Sequence, residues 1–223
     1  MKISNLKIAV LAIGALAVCT SPVRADILYL GGTYSSIPIV DNGTTTTATT
    51  VGGGSIDPST LDGTPTWVYC VDLYHDVGVP GTFDATISST GVVNGSAVNN
   101  AGEVAWLLAN YASTGQGAEE VALQAAIWHV IYNGSAGYAM NHTVSLDTSV
   151  ATSDEVTDYN NMLGALGSNT GNAASFAWLT LNPDDQVQGL VAVPESTTIL
   201  AGAMLLLPFG ASTMRFLRKS RVA

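Results

Sequence analysis

Residues Ala118–Tyr132 read AEEVALQAAIWHVIY. Nothing in this stretch breaks a helix, Glu119 and Glu120 stand in a first turn where the helix dipole favours acids, and Asn133-Gly134 supplies a stop. Ile127, Trp128 and Ile131 recur at helical spacing, and Gln124 falls on their face. A second helix is predicted just upstream, over Ala101–Ala112, where Val104, Leu107, Leu108 and Tyr111 have i, i+3, i+4, i+7 spacing; residues 113–117 join the two.

Around this helical centre the period changes. Asp26–Leu30 and Thr66–Leu73 alternate or run apolar at strand length between Gly- and Pro-containing stretches. Thr82–Val93 is predicted as one more strand ending at the Asn94-Gly95 turn. Gly43–Gly54, GTTTTATTVGGG, is low-complexity and rich in β-branched residues, and reads either as a strand with a Gly-rich turn or as a loop. Downstream come a helix at Ser153–Leu166 and a closing hairpin of Ser175–Leu181 and Gln186–Val193 around Asn182-Pro183-Asp184-Asp185. Strands, then helices, then strands make an α+β domain, a small antiparallel sheet or sandwich with a helical insertion, over residues 26–192.

Both ends read as targeting devices. Residues 1–25 carry Lys2 and Lys7, an apolar run from Ile8 to Val18, and Val23-Arg24-Ala25 as a cleavage site, the layout of a secretory signal peptide. A lipoprotein signal with Cys19 as the lipidated residue is the rival reading, but Val18 is larger than the small residue that normally precedes such a Cys. At the other end, Ile199–Met214 is apolar and uncharged, at the short limit for a transmembrane helix, and Arg215, Arg218, Lys219 and Arg221 follow it as a membrane stop.

The seven basic residues all lie in these two segments, whereas the 17 acidic residues all lie between Asp26 and Glu195. The net charge of −10 therefore conceals a body without Lys or Arg. Such a body has nothing with which to grip phosphates or an anionic membrane surface, so nucleic acid is excluded as a partner and cationic, amine-bearing partners are favoured. The scattered histidines and single body cysteine have no metal-ligand spacing, no Gly-rich phosphate loop follows a strand, and no cofactor is expected.

That cysteine, Cys70, lies in WVYCVDLYHDV, residues 67–77. Without a second Cys in the body it forms no internal disulfide. It is a buried small hydrophobe, a Cys/His nucleophile served by His75, His129 or His142, or a thiol joined to something other than sulfur. Gln124 is the residue to weigh beside it, because a primary amide on a core face costs about 1 to 3 kcal/mol unless it finds partners.

Two resemblances rest on these residues. Val193-Pro194-Glu195-Ser196, followed by the apolar span and the basic tail, resembles the PEP-CTERM sorting signal, with Ser196 where that family usually has Pro. The resemblance implies that residues 193–223 anchor the chain in the inner membrane until an exosortase-type protease processes it, leaving it at the cell surface or in the extracellular matrix. Tyr69-Cys70-Val71 on a strand and Leu123-Gln124-Ala125-Ala126-Ile127-Trp128 on a later helix, with Ala105–Leu108 between them, resemble the Cys-Gln thioester domains of bacterial surface adhesins. That resemblance implies a non-enzymatic module in which the Cys70 sulfur is acylated by Gln124 in a pocket of Trp67, Tyr69, Trp106, Ile127 and Trp128. His75 or His129 would accept the proton, and an amine-bearing surface polymer or protein would be the covalent partner. The alternatives are an unreactive exopolysaccharide or biofilm matrix protein in which Cys70 only packs, and a Cys/His hydrolase.

Overall fold

The computed structural model describes residues 26–42, 46–113, 117–133, 143–181 and 188–194. Within them run strands β1 (Asp26–Leu30), β2 (Thr33–Asn42), β3 (Thr46–Leu61), β4 (Thr64–Cys70), β5 (Gly81–Ser88), β6 (Val92–Val93) and β7 (Ser96–Ala97). Helices α1 (Ala101–Tyr111) and α2 (Ala118–Tyr132) follow, then β8 (Val144–Leu146), α3 (Ser153–Leu166), β9 (Ala177–Leu181) and β10 (Leu190–Pro194).

The order β1-β5-β9-β10-β4-β3 closes on itself where β3 returns to β1 through Leu28↔Leu61 and Tyr29↔Thr60. The α+β class and the antiparallel pairing stand, but the expected sheet or sandwich is a closed six-stranded barrel. Closure leaves no open sheet edge around the ring. It depends on one pairing between residues some thirty positions apart, for which alternation within a strand carries no signal.

β3 belongs to two structures at once. Its end, Ile56 to Leu61, pairs with β4, while Gly53 back to Thr46 pairs with Ser35 to Asn42 of β2, which in turn holds β8. β2 and β8 have no counterpart in the sequence reading: Pro38 interrupts the donor row of one, and the other is three residues long. The Gly43–Gly54 stretch turns out to be mainly strand, at least from Thr46.

α2 lies between α1, α3 and the β2–β3–β8 wing, and every residue in it except Ala118, Glu119 and His129 is buried. It is a core helix on all sides rather than one with a single apolar face. Its last carbonyls are taken by side chains, Asn99 Nδ2 donating to Ile131 and Asn100 Nδ2 to Val130. α3 starts at Thr152 with a capping box: the Thr152 hydroxyl accepts from Glu155 N–H and the Glu155 carboxylate accepts from Thr152 N–H.

The predicted strand Thr82–Val93 is shorter. β5 stops at Ser88, and Gly91, at φ +73°, turns the chain so tightly that a Cβ there would lie 2.7 Å from that of Ala101. The Asn94-Gly95 turn holds, with φ of 52° and 74°, and joins β6 to β7. At the C-terminal side the 192/193 boundary falls inside β10, where Val193 pairs with Trp67 and Pro194 with Thr66. The predicted leader, the Asn182–Asp185 turn, His142, Glu195 and the Ile199–Met214 run with its basic residues lie outside the described residues. Among the described residues no helix is long and apolar enough to cross a membrane.

Candidate functional site

The site forms where β3 and β4 part. Their register sets Ile56 opposite Val68, and two residues further on the same register would set Gly54 opposite Cys70. By then β3 has turned away towards β2, and the groups of Cys70 that face it need another partner. The side chain of Gln124, from α2, is wedged into the split. Its Oε1 accepts from Cys70 N–H at 3.2 Å and from Gly54 N–H at 3.2 Å, while its Nε2 donates to the Cys70 carbonyl at 2.8 Å. The carboxamide stands in for the missing strand. Cys70 is 2% exposed and Gln124 0%.

Two glycines admit the wedge. A Cβ at Gly53 would lie 2.8 Å from Gln124 Cγ, 2.9 Å from the Trp128 ring and 3.1 Å from Ile37, and Gly54, at φ +78°, aims its N–H at the amide oxygen in a left-handed conformation. Gly53→Ala is therefore expected to destabilise the protein by about 2 kcal/mol through overpacking and to push Gln124 off Cys70. Urea unfolding measures the first effect, and protection of the Cys70 amide from hydrogen exchange measures the second.

One turn earlier on α2, Glu120 repeats the arrangement. Its carboxylate accepts from Ser55 N–H at 3.1 Å, from the Tyr69 hydroxyl at 3.2 Å and from the Ser113 hydroxyl at 2.9 Å. A dipole role in the first helical turn accounts for Glu119, but Glu120 is 1% exposed and braces the strand segment next to Gly54. Burial pushes its pKa up, and the hydrogen bonds it accepts oppose that. The signal available in the sequence was its position four residues before Gln124, on the same face.

A cavity of about 180 Å³ reaches Cys70. It is walled by Gly52, Gly53 and Ile56 of β3, Tyr34 of β2, Asp76, Val77 and Val79 of the loop after β4, and Gln188 just before β10. The expected aromatic pocket is distributed differently. Trp128 packs against Gly53 behind the wedge, and Ile127 is buried in α2. Tyr69 is committed through its hydroxyl to Glu120 and Ser113. Trp67 is half-buried on β4, with Nε1 unpaired among the described residues, and Trp106 packs edge-on against Tyr111 at 5.9 Å. The loop residues that wall the cavity instead belong to no periodic pattern.

The two expected proton acceptors part company. His75 lies in the loop after β4, its Nδ1 2.6 Å from a carboxylate oxygen of buried Asp72, two residues from Cys70. His129 lies five residues after Gln124, about 140° around α2, and is engaged with Tyr159, Asn133 and the Val144 carbonyl. Its Nδ1 is turned to α3 and β8 rather than to Cys70, and burial lowers its pKa. Desolvation, with Asp72 and Asp76 nearby, pushes the Cys70 thiol up to about 12.

No family model, no curated protein and no solved structure matches the chain.

Proposed function

We propose that Cys70 and Gln124 form an internal thioester and that the protein is a covalent-attachment module rather than an enzyme. The observation that carries this reading is the seat of the Gln124 carboxamide: it is held against the Cys70 backbone with its oxygen between two backbone N–H donors. Two such donors polarise the carboxamide carbon and stabilise the oxyanion that forms when a sulfur adds to it.

Formation balances without a co-reactant. Cys70 Sγ adds to Gln124 Cδ, the C–N bond breaks, and the thiol proton leaves with the amide nitrogen as ammonia. A thiol with a pKa near 12 holds little thiolate at neutral pH, so the sulfur gives up its proton as it attacks. Near-complete burial of both residues shields the acyl group from water. An incoming primary ammonium then becomes an amide on Gln124. Of the two protons it sheds, one returns to sulfur and one goes to water.

The ends fit delivery to the cell exterior: a leader at 1–25, and a PEP-CTERM-like signal whose Val193 and Pro194 also complete β10. An exosortase-type protease would have to cut beyond Pro194 to leave that interior strand whole, releasing the module from the inner membrane to the surface or matrix. The body without Lys cannot consume its own acyl group through a side-chain amine.

Incubation with methylamine is expected to place one methylamide on Gln124 and to free one thiol on Cys70, both located by peptide mapping. An unlabelled Gln124 would leave it a structural clamp between β3, β4 and α2, in an unreactive matrix protein. Peptide hydrolysis that depends on Cys70 would favour the hydrolase.

A further inference from the structure

The cavity that reaches Cys70 has a chemical bias of its own. Among the described residues, Asp76 is the one charged side chain that lines it. The other nearby acid, Asp72, is already engaged, accepting from Tyr74 N–H at 3.1 Å and meeting His75 at 2.6 Å. Asp76 is exposed and has no hydrogen bond or ion pair among the described residues, and no Lys or Arg stands anywhere between residues 25 and 214 to neutralise it. Ile56, Val77 and Val79 suit an alkyl chain, with the ring of Tyr34 lying over Gly52; the polar Gln188 also lines the cavity, its Nε2 donating to the Asp72 carbonyl at 2.9 Å. Tyr34 is 48% exposed, which leaves its ring free to meet a cation. The volume of about 180 Å³ is well below that of pockets for drug-sized ligands, roughly 300 Å³ and above, and suits one side chain.

We propose that this cavity is an ammonium-selecting vestibule: Asp76 and Tyr34 bind the charged head of a primary alkylamine of the lysine side-chain type and deliver it to the acyl group on Gln124. The inference rests on the thioester reading, whose chemistry it supplies with a substrate class. The ammonium docks at the exposed carboxylate, sheds one proton to water, and its nitrogen passes along the apolar wall to the buried carbonyl carbon. Neutral nucleophiles of similar size gain nothing from Asp76. Selection therefore lies in the charge of the head group rather than in the strength of the nucleophile.

The test compares two probes on the intact protein: n-butylamine, cationic near neutral pH, and hydroxylamine, uncharged there. Each is followed by the rate at which the Cys70 thiol appears. Asp76→Asn is expected to slow butylamine about tenfold while changing hydroxylamine less than about twofold, as loss of a local attractive charge predicts. Asp76→Glu should keep most of the preference. Equal slowing of both probes, or of neither, would overturn the vestibule while leaving the thioester in place. A wild-type protein that releases no thiol to hydroxylamine and has full mass would remove both proposals together.

Discussion

The purified protein is expected to weigh one ammonia less than its own termini require, and Cys70→Ala and Gln124→Ala are each expected to restore the full mass. The effect is all-or-none, because the thioester needs both residues. The two variants differ in cost. Cys70→Ala removes a sulfur and keeps the backbone groups that hold Gln124. Gln124→Ala strands the Cys70 and Gly54 groups that it satisfied, at about 1 to 3 kcal/mol for each buried orphan. Cys70→Ala is therefore the cleaner control.

Alkylation of the native protein does not discriminate. A free Cys70 thiol that is 2% exposed, with its pKa pushed up to about 12, resists a thiol reagent whether or not it is acylated. The informative measurement is made after unfolding in the absence of amines. A full-mass chain whose Cys70 then alkylates quantitatively sinks the thioester reading.

The second large effect belongs to Glu120. Glu120→Ala is expected to cost about 3 kcal/mol, because it orphans the buried Ser55 N–H and releases the Tyr69 and Ser113 hydroxyls at the seam between β3, β4 and the loop before α2. It should also diminish the ammonia deficit, since Ser55 follows Gly54 and its brace helps to aim the Gly54 N–H at Gln124. Glu120→Gln keeps an acceptor oxygen for Ser55 and is expected to lose only about 1 kcal/mol.

The pH dependence separates these variants further. Burial raises the Glu120 pKa above its unfolded value, so the folded state binds the proton more tightly than the unfolded chain does. Its contribution is fully present below the unfolded carboxylate pKa and is lost as the pH rises through the folded one. The advantage of wild type over Glu120→Gln should therefore shrink across that window. Urea midpoints measured at a series of pH values check it. A constant difference would mean that Glu120 titrates alike in both states.

Much of the secondary structure was legible because it is local. α2 and α3 begin and end where helix-start acids, the caps and the loss of period place them, at Ala118–Tyr132 and Ser153–Leu166. The Asn94-Gly95 turn declared itself through residues that tolerate positive φ. β2 did not, with Pro38 inside it, and neither did the early end of β5, set by the close approach of Gly91 to Ala101. The pair Cys70 and Gln124 was visible as two anomalies, an unpartnered thiol and an amide among apolar residues. The pocket was not: its lining comes from Tyr34, the β3 glycines and the 76–79 loop, which no period relates to one another.

By itself the sequence determined the identities that chemistry depends on: one body cysteine, one glutamine on the apolar face of a predicted helix, no lysine between residues 8 and 218, and three glycines in a row at 52–54. These need no fold to be read, because composition and helical period are properties of the chain. The tertiary structure alone decided that β3 leaves β4 opposite Cys70, that Gln124 fills the split, and that Asp76, without a hydrogen bond or ion pair among the described residues, lines the cavity beside it. The physical reason is range. A backbone group that loses its strand partner must be satisfied by whatever the fold brings within hydrogen-bond distance, and here that group comes from 54 residues away.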